Sequence, residues 1–156
     1  MRKKMPSIHS GFVGLIFFLF FALSVNNMAF SQTTPEEAVE LWNLSQTKIQ
    51  QFYQEGNLEG ALNSAQEAVS LAETAFGSGS LETISSLLLQ AQIHSEMDQL
   101  EEANQIYQVT LETSVASFGE SDPTTLSVLD NYGEFLNSID PEMAEPVFQE
   151  ALKLSS

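Results

Sequence analysis

Cysteine is absent from this chain, and arginine is absent from everything after its first 31 residues. Without cysteine, no disulfide can support the fold and no thiolate can bind a metal ion. Cations are scarce as well, because only Lys48 and Lys153 remain after Ser31. Those two cations against 21 carboxylates give a net charge of −19. Such a charge repels phosphate backbones and excludes nucleic acid as a partner.

Groups that could carry catalysis are equally few. His94 is the one histidine after the first 31 residues, and no glycine-rich phosphate loop is present. The register of the repeat described below gives His94 a partly buried helix position, which favours a structural role. The acidic residues between 96 and 102 lack the alternating pattern of a calcium loop and are predicted to form a solvated turn. The sequence therefore predicts no enzymatic activity, no metal and no cofactor.

The amino-terminal segment has the features of a secretory signal. Basic residues at 2–4 precede an apolar run at 11–25, and small residues within 29–31 have the spacing of a cleavage site. We predict a signal peptide at 1–31, an exported mature domain at 32–156, and a periplasmic or secreted location without membrane insertion after cleavage. The alternative is a membrane anchor through the same apolar run, which is shorter than the roughly 20 residues needed to span a bilayer.

The rest of the chain has the pattern of helices. Apolar residues recur at intervals of three and four, without sustained alternation. A capping residue followed by proline, as at Thr34, marks helix starts, and Gly77 and Gly119 mark helix ends. We predict an all-α fold with six helices at 35–54, 57–76, 81–97, 99–118, 123–137 and 141–154.

The helices repeat as pairs at a spacing of 42 residues. The segment Gly56-Asn-Leu-Glu-Gly-Ala61 corresponds to Asp98-Gln-Leu-Glu-Glu-Ala103, and Ala91 corresponds to Gly133. The third turn is one residue shorter, so the alanine that ends these segments corresponds to Ala144. A repeated helix pair that cannot bury its apolar face alone is predicted to stack on its neighbours as a solenoid.

These residues resemble a known family. The small residue at Ala91, the motif Leu100–Ala103 and the aromatic Tyr107 resemble tetratricopeptide repeats, and the spacing is similar to the long variant of kinesin light chains and many bacterial proteins. The resemblance covers residues 35–156 and implies a right-handed α-solenoid of about three helix-turn-helix repeats. The first repeat departs most, since Ala65 stands where the family usually has an aromatic residue.

The resemblance also implies a binding surface. In this family the first helix of each repeat lines a concave face that holds extended or helical peptides. The corresponding positions form the predicted peptide-binding set: Asn43, Gln46, Gln50, Tyr53, Ser85, Leu88, Gln92, Ser95, Ser127, Asp130 and Glu134. The family's version that binds anionic peptide C-termini uses cations, whereas Gln50, Gln92 and Glu134 supply none here. The implied ligand is a polar or basic peptide segment.

The sequence therefore predicts an exported, non-enzymatic protein-interaction module that acts as an adaptor or assembly scaffold. The alternative is a structural protein that forms homo-oligomers. In the last predicted helix, Met143, Val147 and Leu154 would form a partly exposed apolar patch, and such patches favour association. Either function requires a protein partner, which in the second case is another copy of the chain.

Overall fold

The computed structural model describes residues 33–154, and all the regular structure in this range is helical. Its helices are α1 Pro35–Gln54, α2 Leu58–Phe76, α3 Leu81–Glu96, α4 Leu100–Phe118, α5 Pro123–Ile139 and α6 Pro141–Leu154. Every predicted helix is found, with ends that differ by at most two residues. The predicted all-α fold is confirmed, while the predicted signal peptide lies outside the described residues.

The helices form three pairs that pack in chain order. Each helix packs against the next one along the chain, and between 33 and 154 the first helices of successive pairs also contact each other, α1 with α3 and α3 with α5. Repeated pairs that contact only their neighbours form a solenoid. None of the six described helices combines the length and the apolar character that crossing a membrane requires.

Local capping chemistry sets the helix starts. At α1, the Thr34 hydroxyl accepts a hydrogen bond from the N–H of Glu37 at 3.2 Å, and the Glu37 carboxylate accepts one from the N–H of Thr34 at 3.0 Å. This reciprocal pair satisfies two N–H groups that have no partner within the helix. Ser80 and Asp122 cap α3 and α5 through a single bond each, in which the side chain accepts a hydrogen bond from an N–H of the first turn.

The turns inside the first two pairs are structural copies. Gly56 and Asp98 both have positive φ angles, of 70° and 60°. After α1, the N–H of Asn57 donates to the C=O of Phe52 at 2.8 Å, and the equivalent bond after α3 is 2.9 Å long. This is the Schellman arrangement, which needs a left-handed residue just beyond the helix. In the second turn, Asp98 adopts the conformation that glycine supplies in the first.

Two clusters of the core lie at the junctions between pairs, one at each junction. The first cluster contains Ile49, Ala61, Ala65, Ala68 and Ile93. The second contains Ala91, Ala103, Tyr107, Tyr132, Phe135, Leu136 and Ala144. Ala61, Ala103 and Ala144 stand at one repeat position and are at most 1% exposed. The small side chain at this position lets the second helix of each pair approach the first closely.

His94 lies in the core at the end of α3. Its side chain is 8% exposed, and its Nδ1 lies 2.6 Å from Oε1 of Gln99. Because Gln99 directly precedes α4, this hydrogen bond joins the end of one helix to the start of the next.

Candidate functional site

Side chains of α1, α3 and α5 are hydrogen-bonded to one another. The Tyr53 hydroxyl of α1 donates to Oε1 of Glu96 on α3 at 3.4 Å. The Gln92 amide of α3 donates to Oδ1 of Asn131 on α5 at 3.2 Å. The first helices of the three pairs are thereby connected by a strip of polar side chains, which we call the polar strip.

A cavity of about 310 Å³ opens in this polar strip. It is lined by Gln92, Ser95, Glu96, Tyr107, Asn131, Glu134 and Phe135. The two aromatic residues are at most 5% exposed and pack together with ring centroids 4.9 Å apart, so they form the floor. The polar residues are exposed or half-buried and form the rim. A buried aromatic floor with a polar rim is typical of ligand sites in proteins.

The rim of the cavity is electronegative. Burial and, to a smaller extent, the charge of Glu134 together raise the pKa of Tyr107 to about 12. Burial also raises the pKa of Tyr53 to about 12, with contributions from the charge and the hydrogen bond of Glu96. A phenolate is disfavoured beside a carboxylate, and a cation at the same place would be favoured.

The lysines of the described residues pair elsewhere. The Lys48 ammonium lies 3.6 Å from the Glu67 carboxylate, and the Lys153 ammonium lies 3.4 Å from that of Glu150. Both pairs are solvent-exposed. The carboxylates at the rim of the cavity therefore receive no lysine from residues 33–154.

The structure brings together part of the predicted peptide-binding set. Gln92, Ser95 and Glu134 line the cavity, and Tyr53 reaches its rim through Glu96. A second cavity lies between α5 and α6. Five residues of the set line neither cavity: Asn43, Gln46, Gln50, Ser85 and Ser127. Leu88 is half-buried and packs against the core cluster that contains Tyr107.

Asp130 lies at the second cavity. This cavity, of about 270 Å³, lies between α5 and α6 and is lined by Leu126, Asp130, Phe148, Ala151 and Leu152. Asp130 and Glu134 are one helical turn apart on α5, yet they line different cavities. The structure therefore does not bring these two residues of the predicted set to one cavity.

Sequence reasoning missed Glu96, Asn131, Tyr107 and Phe135 as lining residues. Glu96 is the last residue of α3, and the sequence pattern assigned it only to a solvated turn. The sequence position of Asn131 could have identified it, because Asn131 directly follows the predicted residue Asp130 and lies one turn before Phe135. The repeat register identifies which helix faces the strip, but it does not fix how far neighbouring pairs rotate relative to one another.

No family model matches the chain, and comparison with curated proteins finds no match either. The class of protein is therefore defined by the fold and by the position of the cavity. Residues 33–154 form an all-α solenoid of three helix pairs, with a polar cavity on the strip formed by the first helices of these pairs.

Proposed function

We propose that the protein is an exported, tetratricopeptide-like adaptor that binds a basic peptide segment of a partner protein along α1, α3 and α5. The observation that carries this proposal is the cavity whose rim holds Glu96 and Glu134 above the Tyr107–Phe135 floor. The motif resemblance in the sequence supports the family assignment, and the three stacked pairs are the architecture that this family requires.

A lysine or arginine side chain has the chemistry that the cavity accepts. Its alkyl stem would pack on the Tyr107 and Phe135 rings, while its charged end would reach the carboxylates of Glu96 and Glu134. Long cationic side chains commonly bury the stem and keep the charge at the surface in this way. An anionic peptide end would instead meet two like charges.

The amide side chains on the strip suit a peptide backbone. Gln92 and Asn131 each carry a donor and an acceptor, and at present they are hydrogen-bonded to each other at 3.2 Å. Exchanging one exposed amide–amide bond for two bonds to a peptide costs little, because water also competes for the exposed pair. The strip therefore supports backbone recognition, and the cavity supports selection for a cation.

The net charge of −19 on the residues after Ser31 affects the encounter between the partners. A basic segment would be attracted over distances comparable to the Debye length, so association should be slower at higher salt. Dissociation should respond less to salt, because the contacts inside the cavity are shielded from solvent.

The proposal is tested by affinity capture with the full chain as bait and two charge-matched double variants. Glu96→Lys with Glu134→Lys reverses the rim of the cavity. Glu101→Lys with Glu112→Lys makes the same change in net charge at exposed positions of α4. We expect the partner to be captured by the parent chain and by the α4 variant, and to be lost with the rim variant.

Direct binding then measures the effect on the captured partner's basic segment. With a fluorescent peptide of that segment, the rim variant should raise the Kd at least about tenfold, whereas the α4 variant should change it less than about threefold. Equal effects of the two variants would show that general charge, and not the cavity, governs binding. Unchanged binding by the rim variant would reject the cavity as the site.

A further inference from the structure

The outer face of α1 exposes apolar side chains at positions that are buried elsewhere in the repeat. Leu41 and Leu44 are 39% and 49% exposed. Their equivalents two repeats later, Thr125 and Val128 of α5, are both 0% exposed, because α5 has a preceding pair packed against it. The exposed leucines therefore mark a surface that, at the other junctions, contacts a neighbouring pair.

The outer face of the third pair has the complementary property. Phe148 of α6 is 37% exposed, although its equivalent Tyr107 of α4 is only 3% exposed. Tyr107 is covered by Tyr132 and Phe135 of the following pair, with ring centroids 5.6 and 4.9 Å away. Phe148 instead lines the cavity of about 270 Å³ between α5 and α6. This cavity lies where the first helix of a following pair would pack.

We propose that a second copy of this chain docks its α1 onto the α5–α6 face of the first copy, so that the stack of pairs continues head to tail. The head face is defined by Leu41, Leu44 and Lys48. The tail face is defined by Leu126, Asp130, Glu145 and Phe148. Because the two faces are different surfaces, the contact is heterologous and can be repeated by further copies. The contact lies apart from the polar strip and extends beyond the adaptor function.

Contacts inside the chain supply the register of this interface. Across α1 and α3, Nε1 of Trp42 donates to Oγ of Ser86 at 3.0 Å. In the proposed contact, Leu126 of the first copy occupies the repeat position of Trp42, two repeats later. Leu44 of the second copy occupies the repeat position of Ser86. A polar contact within the chain is thus replaced by an apolar contact between copies, which suits two exposed leucine side chains.

Charge complementarity identifies a second copy as the occupant. The Tyr132 hydroxyl donates to Oδ1 of Asn104 at 2.8 Å. At the equivalent positions of the proposed contact, Lys48 of the second copy replaces Tyr132, and Glu145 of the first copy replaces Asn104. Asp130 replaces Leu88, which packs against the cluster that contains Tyr132. One of the two cations after residue 31 would therefore lie beside two carboxylates of the tail face.

Lys48 is available for this exchange. Its pair with Glu67 is 3.6 Å long, and the two side chains are 42% and 48% exposed. Such exposed pairs contribute little to stability. Over the rest of their surfaces, two copies that each carry a net charge of −16 repel one another. The head and tail faces are where that repulsion is replaced by attraction.

Cross-linking tests the register directly, because the chain has no cysteine of its own. Full chains carrying Leu44→Cys and Leu126→Cys are mixed and treated with a short bis-maleimide. We expect a product of twice the chain mass, at least about tenfold more abundant in the mixture than with either variant alone. Lys153→Cys, also exposed, replaces Leu44→Cys in the control mixture. A yield no higher than in that control overturns the proposal.

Charge reversal provides an independent test by sedimentation velocity of the full chain. Lys48→Glu reverses the head face, and Asp130→Lys with Glu145→Lys reverses the tail face. Each should weaken self-association at least about tenfold, and mixing the two should restore it, because the unmodified tail of the Lys48→Glu chain then meets the unmodified head of the other variant. Lys153 lies on neither face. Lys153→Glu makes the same charge change as Lys48→Glu and should therefore leave assembly unchanged.

Two results would overturn the inference. The first is an unmodified chain that is monomeric at every concentration, because the two faces then do not bind each other. Assembly that persists unchanged in both reversals would assign the interface to another segment, such as the apolar run at 11–25. Helicity and melting temperature of each variant, compared with those of the parent, show that the fold is intact. None of these results alters the capture experiment on the polar strip.

Discussion

The second and third helix pairs follow one register but are not equally buried. In the second pair, α4 has 19 residues and its Tyr107 is 3% exposed. In the third pair, α6 has 14 residues, and Phe148 at the equivalent position is 37% exposed. A following pair covers Tyr107, while none lies over Phe148 among residues 33–154. The burial of a repeat position therefore depends on its neighbours as much as on its own side chain.

The two pairs also differ in how their aromatic residue packs inwards. Ala91 stands on α3 where Gly133 stands on α5, and both are buried. A methyl group added to Gly133 would overlap the ring of Phe148. Phe148 therefore packs directly against the α5 backbone, within its own helix pair. Tyr107, in contrast, reaches across to the rings of the next pair.

Truncating the two aromatic residues should produce the largest difference. Tyr107→Ala removes a buried ring from the second core cluster and should lower the free energy of unfolding by about 3–5 kcal/mol. Phe148→Ala removes a ring that is already partly solvated and should cost about 1–2 kcal/mol. Urea unfolding followed by circular dichroism measures both. Equal losses would contradict the view that a following pair determines the burial of this position.

Replacing the proline inside α6 should stabilise the third pair. Pro146 has no N–H to donate to the C=O of Glu142, and its ring crowds the preceding turn. Pro146→Ala should therefore raise the free energy of unfolding by up to about 3 kcal/mol. The matched control is Gln105→Ala at the equivalent position of α4, where we expect a change within about 0.5 kcal/mol. If both variants behave alike in thermal melts, the proline does not destabilise the third pair.

Most of the fold could be predicted from the sequence because its signals are local. Thr34 and Ser80 cap helices at the predicted positions, and Gly77 and Gly119 end them. The largest error is at the end of α5, which continues to Ile139 because the N–H of Asp140 still bonds to the C=O of Leu136.

The candidate site was less predictable because it depends on how neighbouring pairs are oriented. The register predicted a site on the first helices of the three pairs, and the structure places Gln92 and Glu134 of that set at one cavity. It could not separate Glu134 from Asp130, since both lie on exposed positions of α5 one turn apart. Which of them faces α3 and which faces α6 is decided by packing between distant residues, and a one-dimensional pattern does not contain that information.

Two buried threonines at equivalent positions should respond in opposite directions. The Thr83 hydroxyl donates to the C=O of Gly77 at 2.9 Å, whereas the hydroxyl of Thr125 has no hydrogen-bond partner within the described range. Both residues are 0% exposed. Thr83→Val should cost about 1 kcal/mol, while Thr125→Val should be neutral or stabilise the fold by up to about 1 kcal/mol. Equal destabilisation by the two substitutions in urea titrations would show that Thr125 has a partner.

The smallest predicted effect distinguishes the copied turns of the first two pairs. Asp98 has a φ of 60°, a conformation that costs glycine less than any other residue, so Asp98→Gly should stabilise the chain by about 0.5–1 kcal/mol. Gly56→Asp, at the equivalent position, should destabilise it by a similar amount. Because removing a carboxylate also reduces the repulsion in this acidic chain, Asp98→Asn is the control that removes the charge alone. A gain with Asp98→Asn as large as that with Asp98→Gly, measured by thermal melts, would assign the effect to charge instead of backbone conformation.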